Sequence, residues 1–150
     1  MFNSMNTQIP ILIADDDEDD RFLIKTAFRD NQFTNELFFV SDGVELMHFL
    51  TRQGQYADAE KYPRPGIIFL DLNMPRKDGW EALSEIKQDP ELRSIPVVVL
   101  TTSNSERDIL RTYESGANCY ITKPISFDQL LQIVRSFGHF WLQVASIPGR

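Results

Sequence analysis

Apolar residues along this chain gather in five short runs, and helical periodicity fills the spaces between them. The runs are Ile9–Ala14, Glu36–Ser41, Gly66–Asp71, Val97–Leu100 and Asn118–Thr122. The third and fourth are apolar at almost every position, as expected of parallel strands covered on both faces. After the first run, Leu23, Ile24, Ala27 and Phe28 recur at helical spacing and predict a helix to about Asp30. Asp42 with Glu45, and Asp78 with Glu81, place a cap residue three positions before a glutamate, and Ser126 with Gln129 makes a full capping box. These open helices after the second, third and fifth runs; the third ends near Gln88 and the last runs towards Val144. Ser103 or Ser105 caps the fourth, which stops at Ser115-Gly116.

Strand and helix therefore alternate five times, which predicts an α/β fold with a doubly wound parallel sheet. Right-handed crossovers leave few topologies, the flavodoxin-like order 2-1-3-4-5 among them. The connection from Gln53 to Pro65 is long, polar and proline-marked, and reads as a contact surface.

At 150 residues the chain has room for one ordinary domain, expected over residues 9–145 with tails at 1–8 and 146–150. A formal charge of -7 argues against a nucleic-acid partner. No apolar run approaches the roughly 20 residues needed to span a bilayer, so no membrane role is expected. The single cysteine, Cys119, excludes an internal disulfide and fits a reducing, cytoplasmic setting. His48 and His139 are too isolated to make a His/Cys metal cluster.

Chemistry enters at the strand ends. The first strand ends at Asp15-Asp16, the third at Asp71, the fourth at Thr101 and the fifth at Lys123. In a parallel sheet these ends share one edge, so three carboxylates, a hydroxyl and an ammonium are expected in one crevice. Carboxylates so placed repel one another unless a proton or cation compensates them. An all-oxygen set suits a hard cation such as Mg²⁺. With its charge masked, Asp71 is a candidate nucleophile toward phosphorus, while Lys123 supplies a point charge and Thr101 a hydrogen-bond donor.

Asp15-Asp16, Leu70-Asp71-Leu72-Asn73-Met74-Pro75 with Asp78-Gly79, Leu100-Thr101 and Tyr120-Ile121-Thr122-Lys123-Pro124 together resemble the receiver domain of two-component response regulators. The resemblance spans about Ile9 to Phe140. The insertion around Tyr56-Ala57-Asp58, the segment Asn118–Lys123 and the tail Phe140-Trp141-Leu142 resemble single-domain regulators paired with bacterial phytochrome kinases. The resemblance implies a flavodoxin-like (βα)5 sheet of order 2-1-3-4-5. It implies Asp71 as acceptor of a phosphoryl group from a sensor histidine kinase, with a phosphotransfer protein as a second donor class. Asp16, Asp71 and the Asn73 carbonyl would hold Mg²⁺, and Asp15 would act through water. Thr101 and Lys123 would bind the phosphoryl oxygens, Thr101 and Tyr120 would form the switch, and Lys123-Pro124 would carry a cis peptide. Thr102 is bulkier than the small residue often found there, which narrows access to the site.

Nothing after the last helix suggests an output domain, so output is expected through protein contact. In that helix Leu130, Val134, Phe137 and Trp141 form one apolar stripe, with Ile133, Phe140 and Val144 beside it. A core-facing stripe needs only the first set, so some of the second set is expected to be exposed and to meet a partner. The relatives' pattern implies a homodimer through the fourth helix, fifth strand and fifth helix, with Ile133, Phe137, Phe140 and Trp141 on that face. The rival functions are a Mg-dependent phosphatase or phosphotransferase with an aspartate nucleophile, and a flavodoxin-like cofactor binder. The first needs a second acid near Asp71, where Asn73 stands; the second needs a phosphate loop where this chain has aspartates.

Overall fold

The structure, a computed structural model, describes residues 9–123 and 126–139. Five strands, β1 (Ile11–Ala14), β2 (Leu37–Val40), β3 (Ile67–Asp71), β4 (Val97–Thr101) and β5 (Cys119–Thr122), form one parallel sheet of order β2-β1-β3-β4-β5. Five helices follow them in turn: α1 (Glu18–Asp30), α2 (Gly43–Leu50), α3 (Gly79–Gln88), α4 (Glu106–Glu114) and α5 (Phe127–Phe137). This is the expected flavodoxin-like arrangement. The first strand starts two residues later than its apolar run, because Pro10 has no N–H to give the ladder.

Alternation along each strand divides the core in two. Leu12, Ala14, Ile68, Leu70, Val97 and Val99 face one side, with Leu46 of α2 and Leu83 and Ile86 of α3. Ile11, Ile13, Ile67, Phe69, Val98 and Leu100 face the other, with Ile24 and Phe28 of α1 and Val134 and Phe137 of α5. The strand residues are essentially sealed from water. The parallel ladder thus derives its stability from two apolar faces, at roughly 25 cal/mol per Å² removed from solvent.

The caps form as the residue types require. The Asp42 carboxylate accepts from the Glu45 N–H at 2.7 Å, but Glu45 returns its bond to Ser41 rather than to the cap residue. Asp78 accepts from the Glu81 N–H at 2.9 Å. Ser126 and Gln129 make both halves of a capping box. Ser105, not Ser103, caps α4, whose Arg111 lies 4.0 Å over the Trp80 ring of α3.

The connection between α2 and β3 keeps Gln53, Gly54, Gln55, Ala57, Asp58, Glu60 and Lys61 exposed. It folds back, with a short 3₁₀ turn at Gly54–Tyr56, and lays Tyr56 and Tyr62 against Phe49. Phe38 completes that aromatic cluster, and the Tyr56 hydroxyl donates to Glu45 at 2.6 Å. One surface expectation is corrected: Phe137 is not on an exposed face. It is buried, its ring centroid 4.9 Å from that of Phe69, because α5 turns it into the sheet beside α1. Ile133 is half-buried. Phe140, Trp141, Val144, Pro124 and both expected tails lie outside the described residues, as does the proposed cis peptide.

Candidate functional site

The strand register assembles the site. Ala14 pairs with Leu70, Asp71 with Leu100, and Thr101 with Thr122. Asp15, Asp71, Thr101 and Lys123 therefore leave the sheet at nearly one level. The Lys123 N–H donates to the Thr101 carbonyl at 2.6 Å and holds the loop after β5 against the end of β4. On the far side, α3 begins close against β3. A Cβ on Gly79 would stand 2.4 Å from the Leu72 Cα, so the Asp78-Gly79 pair is fixed by contact, not only by capping.

Asp15 and Asp71 are buried, and Asp16 is exposed. One carboxylate oxygen from each lies within 4.8 Å of the other two. An oxygen-only set with one exposed member suits a hard, partly hydrated divalent cation, so these three residues could hold one. Asp71 turns one oxygen to the Asn73 N–H at 2.9 Å and the other to the Lys123 ammonium at 3.4 Å. Asp15 accepts from the Asp17 N–H at 2.9 Å and from Lys123 at 2.9 Å. Burial nevertheless raises the Asp15 pKa, outweighing those two bonds, and the neighbouring Asp71 raises it further. Burial alone would lower the Lys123 pKa. Its bonds to Asp20 and Asp15, with the charge of Asp71, reverse that and keep the ammonium protonated well above neutrality.

Asp20 was not singled out from the sequence. Its N–H donates to the Asp17 cap at 3.2 Å, while its carboxylate caps nothing and lies 2.7 Å from Lys123, nearer than Asp15 or Asp71. A signal was present: Asp20 stands in the first turn of α1, and helical side chains lean back toward the N-terminus, here toward the strand ends. Arg21 beside it donates to the Asp15 carbonyl and the Ser41 hydroxyl, both at 2.6 Å, and so pins that turn to the ends of β1 and β2.

Thr101 is buried, and its hydroxyl accepts from the Ser103 N–H at 3.2 Å. Tyr120, half-buried on β5, donates through its hydroxyl to the Ser103 carbonyl at 2.6 Å. Asn73 and Thr102 are exposed at the mouth, their side chains 3.4 Å apart.

The model of the response regulator receiver domain matches residues 11–135. The chain belongs to that family. It is 42% identical over 148 residues to the response regulator Rcp1 of Synechocystis sp., covering 99% of each chain. The phosphorylated cyanobacterial phytochrome response regulator RcpA superposes with a TM-score of 0.86 at 45% identity, over 95% of this chain and 99% of the other. The Mn²⁺-bound form of Rcp1 gives 0.84 at 42% identity, over 94% and 99%. This receiver is thus similar to signalling proteins, one of them phosphorylated and one holding a divalent metal. Among its described residues no helix is long and apolar enough to cross a membrane.

Proposed function

We propose that this receiver accepts a phosphoryl group on Asp71 from a phosphohistidine of a sensor histidine kinase, with Mg²⁺ as its metal, and signals by protein contact. A carboxylate oxygen of Asp71 forms the new bond to phosphorus as the bond from phosphorus to the kinase imidazole nitrogen breaks. The imidazole leaves with the electron pair and takes up a proton. Asp16 and Asp71, with Asp15 and the Asn73 carbonyl, would hold the metal, which supplies positive charge to the transferring group when bound. Lys123 and Thr101 stabilise the phosphoryl oxygens, and Tyr120 follows Thr101 as the switch.

One observation carries the reading: a single ammonium is set among buried carboxylates beside an oxygen cluster fit for a divalent ion. Only a site with that much compensation can take up another anion. The phosphatase alternative is not favoured, since the Asn73 amide, at the position two after Asp71, cannot act as a general acid.

Similarity to Rcp1 and RcpA supports a phytochrome as the kinase and a cytoplasmic setting. A homodimer through α4, β5 and α5 is supported by Leu110 and Tyr113, which are 60% and 47% exposed on α4. Light scattering on Leu110→Glu and Ile133→Glu variants tests it; an unchanged mass in both removes this face. The central test is phosphotransfer from candidate kinases to wild type and to Asp71→Asn. Wild type takes label and the variant does not; label retained by the variant places the acceptor elsewhere.

A further inference from the structure

Resting on the reading of Asp71 as phosphoacceptor, we propose that Asp20 is a positioning residue for Lys123. It holds the ammonium toward α1 in the unphosphorylated chain and competes with the phosphoryl group for it.

The geometry is specific. An ammonium has three N–H donors, and the three of Lys123 meet Asp20 at 2.7 Å, Asp15 at 2.9 Å and Asp71 at 3.4 Å. The two short bonds draw Nζ away from Asp71. Asp15 leaves the sheet beside Asp71, as the β1–β3 register dictates, so a bond to Asp15 survives a move toward the acceptor. Asp20 stands instead on α1, and its backbone cannot follow. Arg21, the next residue, is tied to the Asp15 carbonyl and the Ser41 hydroxyl. The Asp20–Lys123 bond is therefore the one that must lengthen when a phosphoryl group, more anionic than the carboxylate it replaces, draws Nζ toward itself. This is not a surface pair that water has already screened. The Lys123 side chain is 14% exposed and that of Asp20 33%.

The test uses the full chain and two readouts. First, without metal or phosphoryl analogue, the Lys123 ammonium should give its own ¹⁵N–¹H signal in wild type, protected by its carboxylates, and lose it in Asp20→Asn. An unchanged signal in the variant overturns the proposal. Second, binding of beryllofluoride, a phosphoryl mimic, is titrated calorimetrically at saturating Mg²⁺. Asp20→Asn and Asp20→Ala should bind roughly three- to tenfold tighter than wild type, the effect expected of removing one charge a few ångströms away. Asp20→Glu, which restores the charge, should return toward wild type. Equal or weaker binding by the Asn and Ala variants refutes the competition, as would a lowered melting temperature with no change in affinity. Failure of wild type itself to bind the mimic is a different result: it removes the phosphoacceptor reading and the competition with it.

Discussion

The phenol of Tyr120 donates a 2.6 Å hydrogen bond to the carbonyl of Ser103, whose own N–H donates to the hydroxyl of Thr101 at 3.2 Å. One residue, Ser103, therefore connects β5 to the buried hydroxyl proposed to bind the phosphoryl group. If Thr101 turns to a phosphoryl oxygen, it abandons Ser103, and the loop before α4 is free to shift with Tyr120 attached. Tyr120→Phe should leave phosphoryl uptake within about twofold of wild type and cost about 1 kcal/mol, one ordinary hydrogen bond. Thermal melting and phosphotransfer measured together check this; loss of uptake in Tyr120→Phe contradicts the assignment of Tyr120 to output.

Tyr56 gives a prediction about the insertion rather than the site. It is buried, and its hydroxyl is bonded to the Glu45 carboxylate, so burial and that carboxylate both raise its pKa. Tyr56→Phe keeps the ring contacts with Phe49 and Tyr62 but leaves one Glu45 oxygen without this donor. The expected loss is about 1.5–3 kcal/mol, the range for hydrogen bonds to charged groups. Urea unfolding reads it, and a loss below about 0.5 kcal/mol would show that water replaces the phenol freely.

Asp42 fixes a pH dependence. Burial by itself would raise its carboxyl, but the Glu45 N–H and the Arg76 guanidinium, 3.0 Å away, outweigh it and hold the pKa below the ordinary 3.8. The unfolded chain then binds more protons near pH 3.8 than the folded one, so stability rises with pH through that window. The contribution is complete above 3.8 and disappears as pH falls through the folded value. Asn caps a helix as well as Asp, so Asp42→Asn isolates the charge. Arg76 is 59% exposed, so the gap between wild type and variant should stay below about 1 kcal/mol at neutral pH. It should close below pH 3.8. Urea midpoints from acid to neutral pH measure it; a gap that widens in acid contradicts the sign.

The strand ends were legible because a two-sided parallel sheet leaves long apolar runs, and a polar residue closing such a run must face the crevice. Asp15, Asp71, Thr101 and Lys123 were found in that way. Asp20 was not, because carboxylates in a helix's first turn already have a local explanation in opposing the macrodipole. The inward turn of Tyr56 and Tyr62 was hidden for another reason: they lie in a polar connection without periodicity, and only α2 and β2 supply the apolar partners that bury them. The core-facing stripe of the last helix was legible at Val134 and Phe137, both buried, but helical spacing could not say where that stripe ends, which is how Phe137 also came to be placed on the dimer face.

Lys123 and the proposed metal would compensate the same carboxylates, so their effects should be coupled. Lys123→Met removes the ammonium that Asp15, Asp20 and Asp71 share and leaves two largely buried acids facing each other. Breaking a buried pair from one side costs about 3–5 kcal/mol, so without divalent metal the variant should melt well below wild type. An ion that binds only the folded arrangement, as proposed for Mg²⁺, should stabilise it by about 2.7 kcal/mol at one hundred times its Kd. It should recover more of the melting temperature in Lys123→Met than it adds to wild type, since the variant's acids lack their other cation. Asp16→Ala should behave oppositely. Asp16 is exposed, so its loss should change the metal-free chain by less than about 0.5 kcal/mol while removing most of the Mg²⁺ effect. Melting curves for the three proteins with Mg²⁺ and with chelator decide it; an undiminished Mg²⁺ shift in Asp16→Ala would place the ion away from this cluster.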